Sequence, residues 1–325
     1  MLVLFIFIIF LIWCFRQLTG KMSDSLACLV GKTAIITGGN SGIGYATALL
    51  LASRGCRIII ADKANADKSK ENLMKITGNS NIFTKYLDLS SLSSVRSFCE
   101  DIQKHEKKID ILINNAGIGS APEHCTKDGL NLTMQINFFG SFLLTHLLID
   151  SLKAAESARV TFTGSALAYI NNVSKANLNE TSQKKDIYSL IQLYGNSKFC
   201  NILAAQEFGK RLKNHKIAVN STDPGLVRTG LFQQSWLPKY LFWVYAVENS
   251  FRLIFSHIPM VGAQTNFHLA SSLDMKGKTG GHYFICRPWF KPKILKNEKY
   301  CSEIWEESEK LVGLKDEEKL SAPIS

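Results

Sequence analysis

From Gly31 onward, short unbroken apolar runs alternate with longer stretches whose apolar residues recur every three or four positions. The runs at Thr33–Thr37, Arg57–Ala61, Asp110–Asn114, Val160–Thr163 and Ile217–Thr222 are rich in β-branched residues, and the pattern predicts strands there. It predicts helices over Gly42–Ser53, Ser91–His105, Gly129–Ala154 and Tyr188–Asn214. Runs such as RIII and DILI show no polar alternation, as expected of strands covered on both faces. Strands alternating with helices imply right-handed crossovers and a doubly wound parallel α/β sheet. No repeat or low-complexity tract interrupts the alternation. A single domain over residues 31–314 is expected, followed by a polar tail, 315–325.

The N-terminus departs from this pattern. MLVLFIFIIFLIWCF runs fifteen residues without a charge, and Arg16 and Lys21 follow. A helix of that length covers roughly 22 Å at about 1.5 Å per residue, short of a hydrocarbon core of about 30 Å. Residues 1–20 therefore read as a membrane anchor helix. It either gains a marginal span from the less apolar residues after it or embeds partway, as on a lipid-droplet monolayer. A cleaved signal peptide fits less well: no basic residue precedes the run, and CFRQLTGKMS has no small-residue cleavage site. The basic residues after the run place the body on the cytoplasmic side. Sequons at Asn131, Asn172, Asn179 and Asn220 go unused on that reading; a glycan on Asn220, inside IAVNSTDPG, would break a strand.

Composition narrows the class. Over 325 residues, 46% apolar and 20% charged residues suit a well-cored fold rather than disorder. The formal charge of +11 is compatible with nucleic acid, an anionic membrane or an anionic ligand. The basic residues are scattered, with short pairs such as Lys107-Lys108 and Lys184-Lys185, and no zinc finger, aromatic RNA-binding motif or long basic arm is present, so nucleic acid is set aside. The eight cysteines include no C-x-x-C pair; reduced thiols in a cytosol-facing domain are expected, with no metal site.

The first predicted strand runs into TGGNSGIG, Thr37–Gly44, and a helix follows. Gly38 permits a sharp turn, and Gly42 and Gly44 permit close backbone approach. The helix start presents N–H groups and a positive dipole end, a seat for a pyrophosphate. The spacing G-x-x-x-G-x-G places no lysine to grip a γ-phosphate, which favours a dinucleotide over a nucleoside triphosphate. Asp62 ends the second strand 18 residues past Gly44 and can accept hydrogen bonds from adenosine ribose hydroxyls. It would repel a 2′-phosphate, which favours NAD(H). Lys63 beside it could pair with that phosphate and keeps NADP(H) open.

YGNSK places Tyr194 and Lys198 four residues apart on one face of a predicted helix. An ammonium beside a phenol is expected to lower its pKa from about 10, so that it can exchange a proton with a carbinol oxygen near neutral pH. Ser165 ends the strand RVTFTGS, at the strand end where doubly wound folds bind ligands. NNAG ends the strand before it, and Asn137 lies within the apolar helical stretch MQINFFGSFLLT, where a buried amide needs a partner.

Taken together, TGGNSGIG, Asp88 in LDLS, NNAG, Asn137, Ser165, Tyr194-x-x-x-Lys198 and DPGLVRT resemble, in order, the short-chain dehydrogenase/reductase family across nearly the whole chain after the anchor. YGNSKFCNILAAQEFGKRL, GGHYF and IWEESEKLVGL are most similar to its membrane-bound retinol dehydrogenases. The resemblance implies a Rossmann-type fold and an oxidoreductase using NAD(P)(H). Tyr194 would be the general acid/base and Lys198 its partner on the nicotinamide ribose. Ser165 would hold the substrate oxygen, and Asn137 a water in a proton relay to Lys198. Gly38, Asn40, Ser41, Gly42, Ile43 and Gly44 would form the cofactor turn. Asp62 and Lys63 would meet the adenosine ribose, Asp88 with Leu89 the adenine, and Asn115, Ala116 and Gly117 the adenosine-ribose side. Pro224, Gly225, Val227 and Thr229 would contact the cofactor, Thr229 at the nicotinamide carboxamide or pyrophosphate. Two departures stand out. Ala61-Asp62-Lys63 replaces the Ala-Cys-Arg usual in retinol dehydrogenases, whose arginine favours NADP, and Gly164-Ser165 replaces Ser-Ser.

Residues 236–246 hold Trp236, Tyr240, Phe242, Trp243 and Tyr245, which read either as a buried amphipathic helix or as a lid dipping into a membrane interface. Anchor and lid together suit a lipophilic small-molecule substrate without distinguishing a retinoid from a steroid, a farnesol-like isoprenoid or a fatty aldehyde; the resemblance to retinol dehydrogenases favours retinol/retinal. The resemblance implies residence in the endoplasmic reticulum membrane and is compatible with a homodimer. A non-catalytic membrane or lipid-droplet scaffold is the reading from another class; the intact Asn137, Ser165, Tyr194 and Lys198 oppose it.

Overall fold

A computed structural model describes residues 22–119, 125–182, 186–225, 227 and 258–321. The apolar leader, the aromatic stretch 236–246 and Thr229 lie outside the described residues. No helix among the described residues is long and apolar enough to cross a membrane.

In chain order the elements are β1 (Thr33–Thr37), α1 (Gly42–Ala52), β2 (Arg57–Asp62), α2 (Asp67–Thr77), β3 (Ile82–Tyr86), α3 (Leu92–His105) and β4 (Ile111–Asn114). Next come α4 (132–147), interrupted by a π turn at Gln135–Phe139, then α5 (Ile149–Lys153), β5 (Ala158–Thr163) and α6 (Ile187–Arg211). The chain continues through β6 (Ile217–Asp223), α7 (Pro259–Ser271), β7 (His282–Phe284), β8 (Arg287–Trp289) and α8 (Glu298–Leu311). The strands form one sheet in the order β3-β2-β1-β4-β5-β6-β7-β8. All pairings are parallel except β7–β8, so the sheet is mostly rather than wholly parallel. The order reverses between β1 and β4, which opens a crevice above their C-terminal ends.

Unbroken apolar strands are explained by what covers them. Ile35, Ile59, Leu112, Val160 and Phe162 face a core shared with Phe138, Phe142, Phe208 and Trp305. Ile36, Ile58, Ile60, Ile111 and Ile113 face Leu51, Leu73 and Phe267 on the other side. Each such side chain contributes about 1.5–3 kcal/mol by leaving water. Two of the sequons are sealed by this packing: Asn220 donates to the Lys278 carbonyl (2.7 Å) and Asn131 to the Glu180 carbonyl (2.8 Å), both side chains being buried.

The expected helix over 129–154 begins later and breaks once. Gly129 sits at φ +74° in a turn, and the Asn131 side chain caps the Met134 N–H, so α4 starts at Leu132. Elements α2 and β3 carried too weak a pattern to be anticipated: β3 lies at the sheet edge and buries Ile82 alone. The antiparallel β8 was likewise unforeseen. It is exposed along its length and holds Pro288, which suits an edge strand. Of the cysteines, Cys28, Cys56, Cys99, Cys125, Cys200, Cys286 and Cys301 are free thiols, and among the described residues no cluster could hold a metal.

Candidate active site

The glycine turn is braced from the neighbouring strand. Thr37 Oγ1 accepts from the N–H groups of Asn115 and Ala116, each at 3.0 Å. Asn115 Nδ2 donates to the Thr37 carbonyl at 3.0 Å, so its amide holds the turn in place. Gly38 (φ +65°) and Gly42 (φ +55°) use backbone that other residues rarely adopt. Gly44 is required for a different reason: a Cβ there would come within 2.6 Å of Asn115 Nδ2 and 2.8 Å of the Gly38 carbonyl carbon. Ser41 precedes α1 without a side-chain cap, leaving the first amides of the helix free of a side-chain acceptor. The cradle therefore fits a diphosphate.

Asp62 lies at the end of β2 beside the turn; its carboxylate accepts from the N–H groups of Asn40 (3.3 Å) and Ala64 (3.0 Å). Lys63 is exposed and pairs with Asp88 at 3.1 Å. Burial works against ionisation of Asp88, but the Ser90 hydroxyl and amide, with Lys63, outweigh it and hold the carboxyl below its ordinary range. Leu89 is buried against the backbone of Gly140. Val227 packs beside Gly262, which also faces Ile43, and Gly225 (φ +72°) faces the Phe284 ring, so Pro224, Gly225 and Val227 flank the same crevice.

On the other side of the crevice, α6 carries Tyr194 and Lys198, 6% and 3% exposed. Lys198 Nζ donates to the Thr163 carbonyl at the end of β5 (3.2 Å) and lies 5.5 Å from the Tyr194 ring centroid. Tyr194 is hydrogen-bonded with Ser165. Asn137 sits in the π turn, where such turns often mark functional positions. Its Oδ1 accepts from Ile118 N–H (2.8 Å), and its Nδ2 donates to the Ile118 carbonyl and to Ser197 Oγ, each at 3.0 Å. Gly117 has no side chain where one would touch both Asn137 Oδ1 (3.1 Å) and Lys198 Nζ (3.2 Å). The space between that amide and that ammonium is the width of a missing Cβ.

One residue of consequence is absent from the sequence-based assignment. Asp223 ends β6, one position beyond the rung that pairs Thr222 with Thr163, and is buried. Its Oδ1 accepts from the Gly225 N–H at 2.8 Å. Burial raises its carboxyl to about 6, against the pull of that N–H and of Lys198. Burial, opposed by the Asp223 charge, lowers Lys198 to about 8. Burial and the same carboxylate push the Tyr194 phenol up, while the Ser165 hydrogen bond draws it down. Burial and the Asp223 carboxylate thus oppose the depression of the phenol expected from Lys198. The DPG triplet held this residue in view, but a strand-end Asp before Pro-Gly reads as a turn former.

The sign of a pH effect follows. A carboxylate near a phenol disfavours the phenolate, so its removal favours ionisation of Tyr194. Asp223→Asn should move the pH limb on which alcohol oxidation rises to lower pH, by about half a unit to one unit. The pH profile of kcat/KM in the oxidative direction checks this; an unmoved limb would mean that Asp223 does not govern the phenol.

Comparison with known proteins agrees with this geometry. Residues 32–177 match the family described as short chain dehydrogenase. Retinol dehydrogenase 11 of Mus musculus is 33% identical over 92% of this chain and 92% of its own. Retinol dehydrogenase 14 of Homo sapiens is 34% identical over 87% of each chain, and retinol dehydrogenase 12 of Homo sapiens is 35% identical over 88% of each. Among solved structures, an uncharacterised protein from Mycobacterium paratuberculosis superposes with a TM-score of 0.68 at 25% identity, covering 94% of this chain and all of that one. The RhlG/NADP active-site complex of Pseudomonas aeruginosa superposes at 0.59 with 26% identity, covering 78% of this chain and 94% of that one. With the glycine cradle and the Ser165, Tyr194 and Lys198 side chains in one crevice, the chain belongs to the short-chain dehydrogenase/reductase family and is a nicotinamide-dependent oxidoreductase similar to the retinol dehydrogenases.

Proposed function

We propose that this protein is a membrane-resident dehydrogenase/reductase that interconverts a lipophilic primary alcohol and its aldehyde, with retinol and retinal as the substrate pair. The convergence of Ser165, Tyr194 and Lys198 at the C-terminal ends of β5 and β6 supports the chemistry. The retinol dehydrogenases, at 32–35% identity across about nine-tenths of the chain, support the substrate.

Ser165 holds the substrate oxygen, and the Tyr194 hydroxyl gives it a proton in reduction or takes one in oxidation. The nicotinamide, when bound, supplies or accepts the hydride. Lys198 would hold the nicotinamide ribose, and burial lowers its ammonium to about 8. Asn137 holds a water through the gap that Gly117 leaves. The body faces the cytosol at the endoplasmic reticulum, tethered by residues 1–20, with a lipid-droplet monolayer as a second surface that suits so short an apolar run.

For the cofactor, NAD(H) is favoured. Asp62 ends β2 beside the glycine turn, where a carboxylate would oppose a 2′-phosphate on the adenosine ribose, and Lys63 is engaged with Asp88. A facing carboxylate opposes that phosphate by on the order of 1–3 kcal/mol, and Lys63 offsets part, so a preference of roughly tenfold is expected. Asp62→Ala should shift kcat/KM toward NADP(H). A matrix of NADH and NADPH against retinal, a steroid ketone and farnesal tests substrate and cofactor together. A higher kcat/KM with NADPH in the unsubstituted protein would overturn the cofactor assignment, and turnover of the steroid or farnesal in preference to retinal would overturn the substrate.

A further inference from the structure

Away from the catalytic crevice, at the N-terminal end of β6, lies a cleft of about 1310 Å³. Its lining includes seven lysines but only two glutamates, Glu156 and Glu298, over an apolar floor containing Ile217, Pro292 and Leu295. Lys213, Lys216, Lys276, Lys293 and Lys296 are exposed, and among the described residues none of them pairs with a carboxylate. Burial and the neighbouring Lys210 charge both pull the Lys291 ammonium below its ordinary value.

The rim is apolar where it meets water. Phe290 lines the cleft at 62% exposure, the exposed Trp289 lies against it in a tilted ring contact with centroids 4.7 Å apart, and Ile294 is also exposed. Surface lysines beside exposed Trp and Phe are the chemistry of an anionic bilayer interface: ammonium groups meet the headgroups, and amphipathic rings sit at the acyl boundary. The rim also reaches the catalytic crevice. The Tyr169 hydroxyl donates to the Phe290 carbonyl, the two rings lie 5.3 Å apart, and Tyr169 follows Ser165 by four residues.

We infer that this lysine cleft and its Trp289–Phe290 rim form a docking surface for an anionic phospholipid bilayer. The inference rests on the membrane residence proposed above, and supplies a place for charge that the oxidoreductase chemistry leaves without a role. Four or five exposed lysines near a membrane of negative potential contribute additively and are screened by salt, the Debye length being about 10 Å at 0.1 M.

Full-length protein would be titrated with vesicles of phosphatidylcholine alone and of phosphatidylcholine with 30% phosphatidylserine, the binding being read by sedimentation without turnover. Anionic vesicles should bind at least about tenfold more tightly at low salt, and the gain should shrink in 0.5 M salt. The variant K213Q/K216Q/K276Q/K293Q should lose most of that gain while binding neutral vesicles as before, and Trp289→Ser should weaken binding to both. Neutral binding tests membrane residence itself, and the anionic gain tests the cleft, so the two can fail separately. A quadruple variant that keeps the full anionic gain would overturn the proposal. So would a gain abolished by millimolar inorganic phosphate at constant ionic strength, which would make the cleft a small-anion site.

Discussion

Tyr194→Phe should lower kcat at least about a hundredfold in both directions while leaving cofactor affinity within about twofold. The loss corresponds to about 2.7 kcal/mol of barrier, from one hydroxyl. The ring remains, so its packing on α6 is kept, and the half-buried Ser165 hydroxyl loses Tyr194 while still accepting from the Leu167 N–H. Tyr169→Phe is the matched control. Its phenol is also pushed up, to about 12, by burial and by the Asp223 charge, but its hydroxyl is committed to the Phe290 carbonyl. That change should cost no more than about fivefold, since an exposed neutral hydrogen bond contributes about 1 kcal/mol or less. Single-turnover hydride transfer with saturating cofactor separates the two. Near-normal transfer by the Tyr194 variant would remove that phenol from the reaction, and equal losses at both positions would point to general disturbance of the Ser165–Tyr169 segment.

Much of this site is legible in the chain because its parts are local. The glycine turn, the strand ending at Asp62 and the four-residue spacing of Tyr194 and Lys198 each lie within a single strand–turn–helix unit or one helix, where sequence spacing is spatial spacing. The fold's central strands were legible for the same reason, as Ile58–Ile60 are covered on both faces and need no polar alternation. What escaped reading depends on contacts across the chain. Burial, and the charge of Asp223 29 residues away on another strand, act on Tyr194 against the Lys198 effect that helix spacing alone suggests. The π turn that lodges Asn137 against Ile118 and Ser197 has the same residue pattern as ordinary helix. The β8 edge, with Arg287-Pro288-Trp289 exposed, lacks the apolar face by which a strand is recognised. Scattered lysines became a cleft only because the start of β6, the segment after α7 and the segment after β8 meet in space.

Gly44→Ala should abolish cofactor binding, with the dissociation constant rising at least about a hundredfold, or about 2.7 kcal/mol. The added methyl carbon would lie 2.6 Å from Asn115 Nδ2 and 2.8 Å from the Gly38 carbonyl carbon. Neither can yield without further loss. Asn115 is tied to the Thr37 carbonyl, and Gly38 is itself closed in, with the Ala116 Cα 2.9 Å from where its own Cβ would be. The turn must therefore open, displacing the amides at the start of α1 from the positions that would meet a diphosphate. Stability should fall by about 1–3 kcal/mol, the usual range for forcing a methyl group into a packed site. Gly78→Ala separates this effect from the general cost of replacing glycine. Gly78 sits at φ +69° after α2 with nothing within 4 Å of an added Cβ, so only backbone strain of about 1 kcal/mol applies. That variant should bind cofactor normally despite a comparable loss of thermal stability. Titration of both by quenching of nicotinamide fluorescence, alongside thermal unfolding, distinguishes close approach from strain: a Gly44 variant with unaltered cofactor affinity would show that the turn does not seat the diphosphate at all.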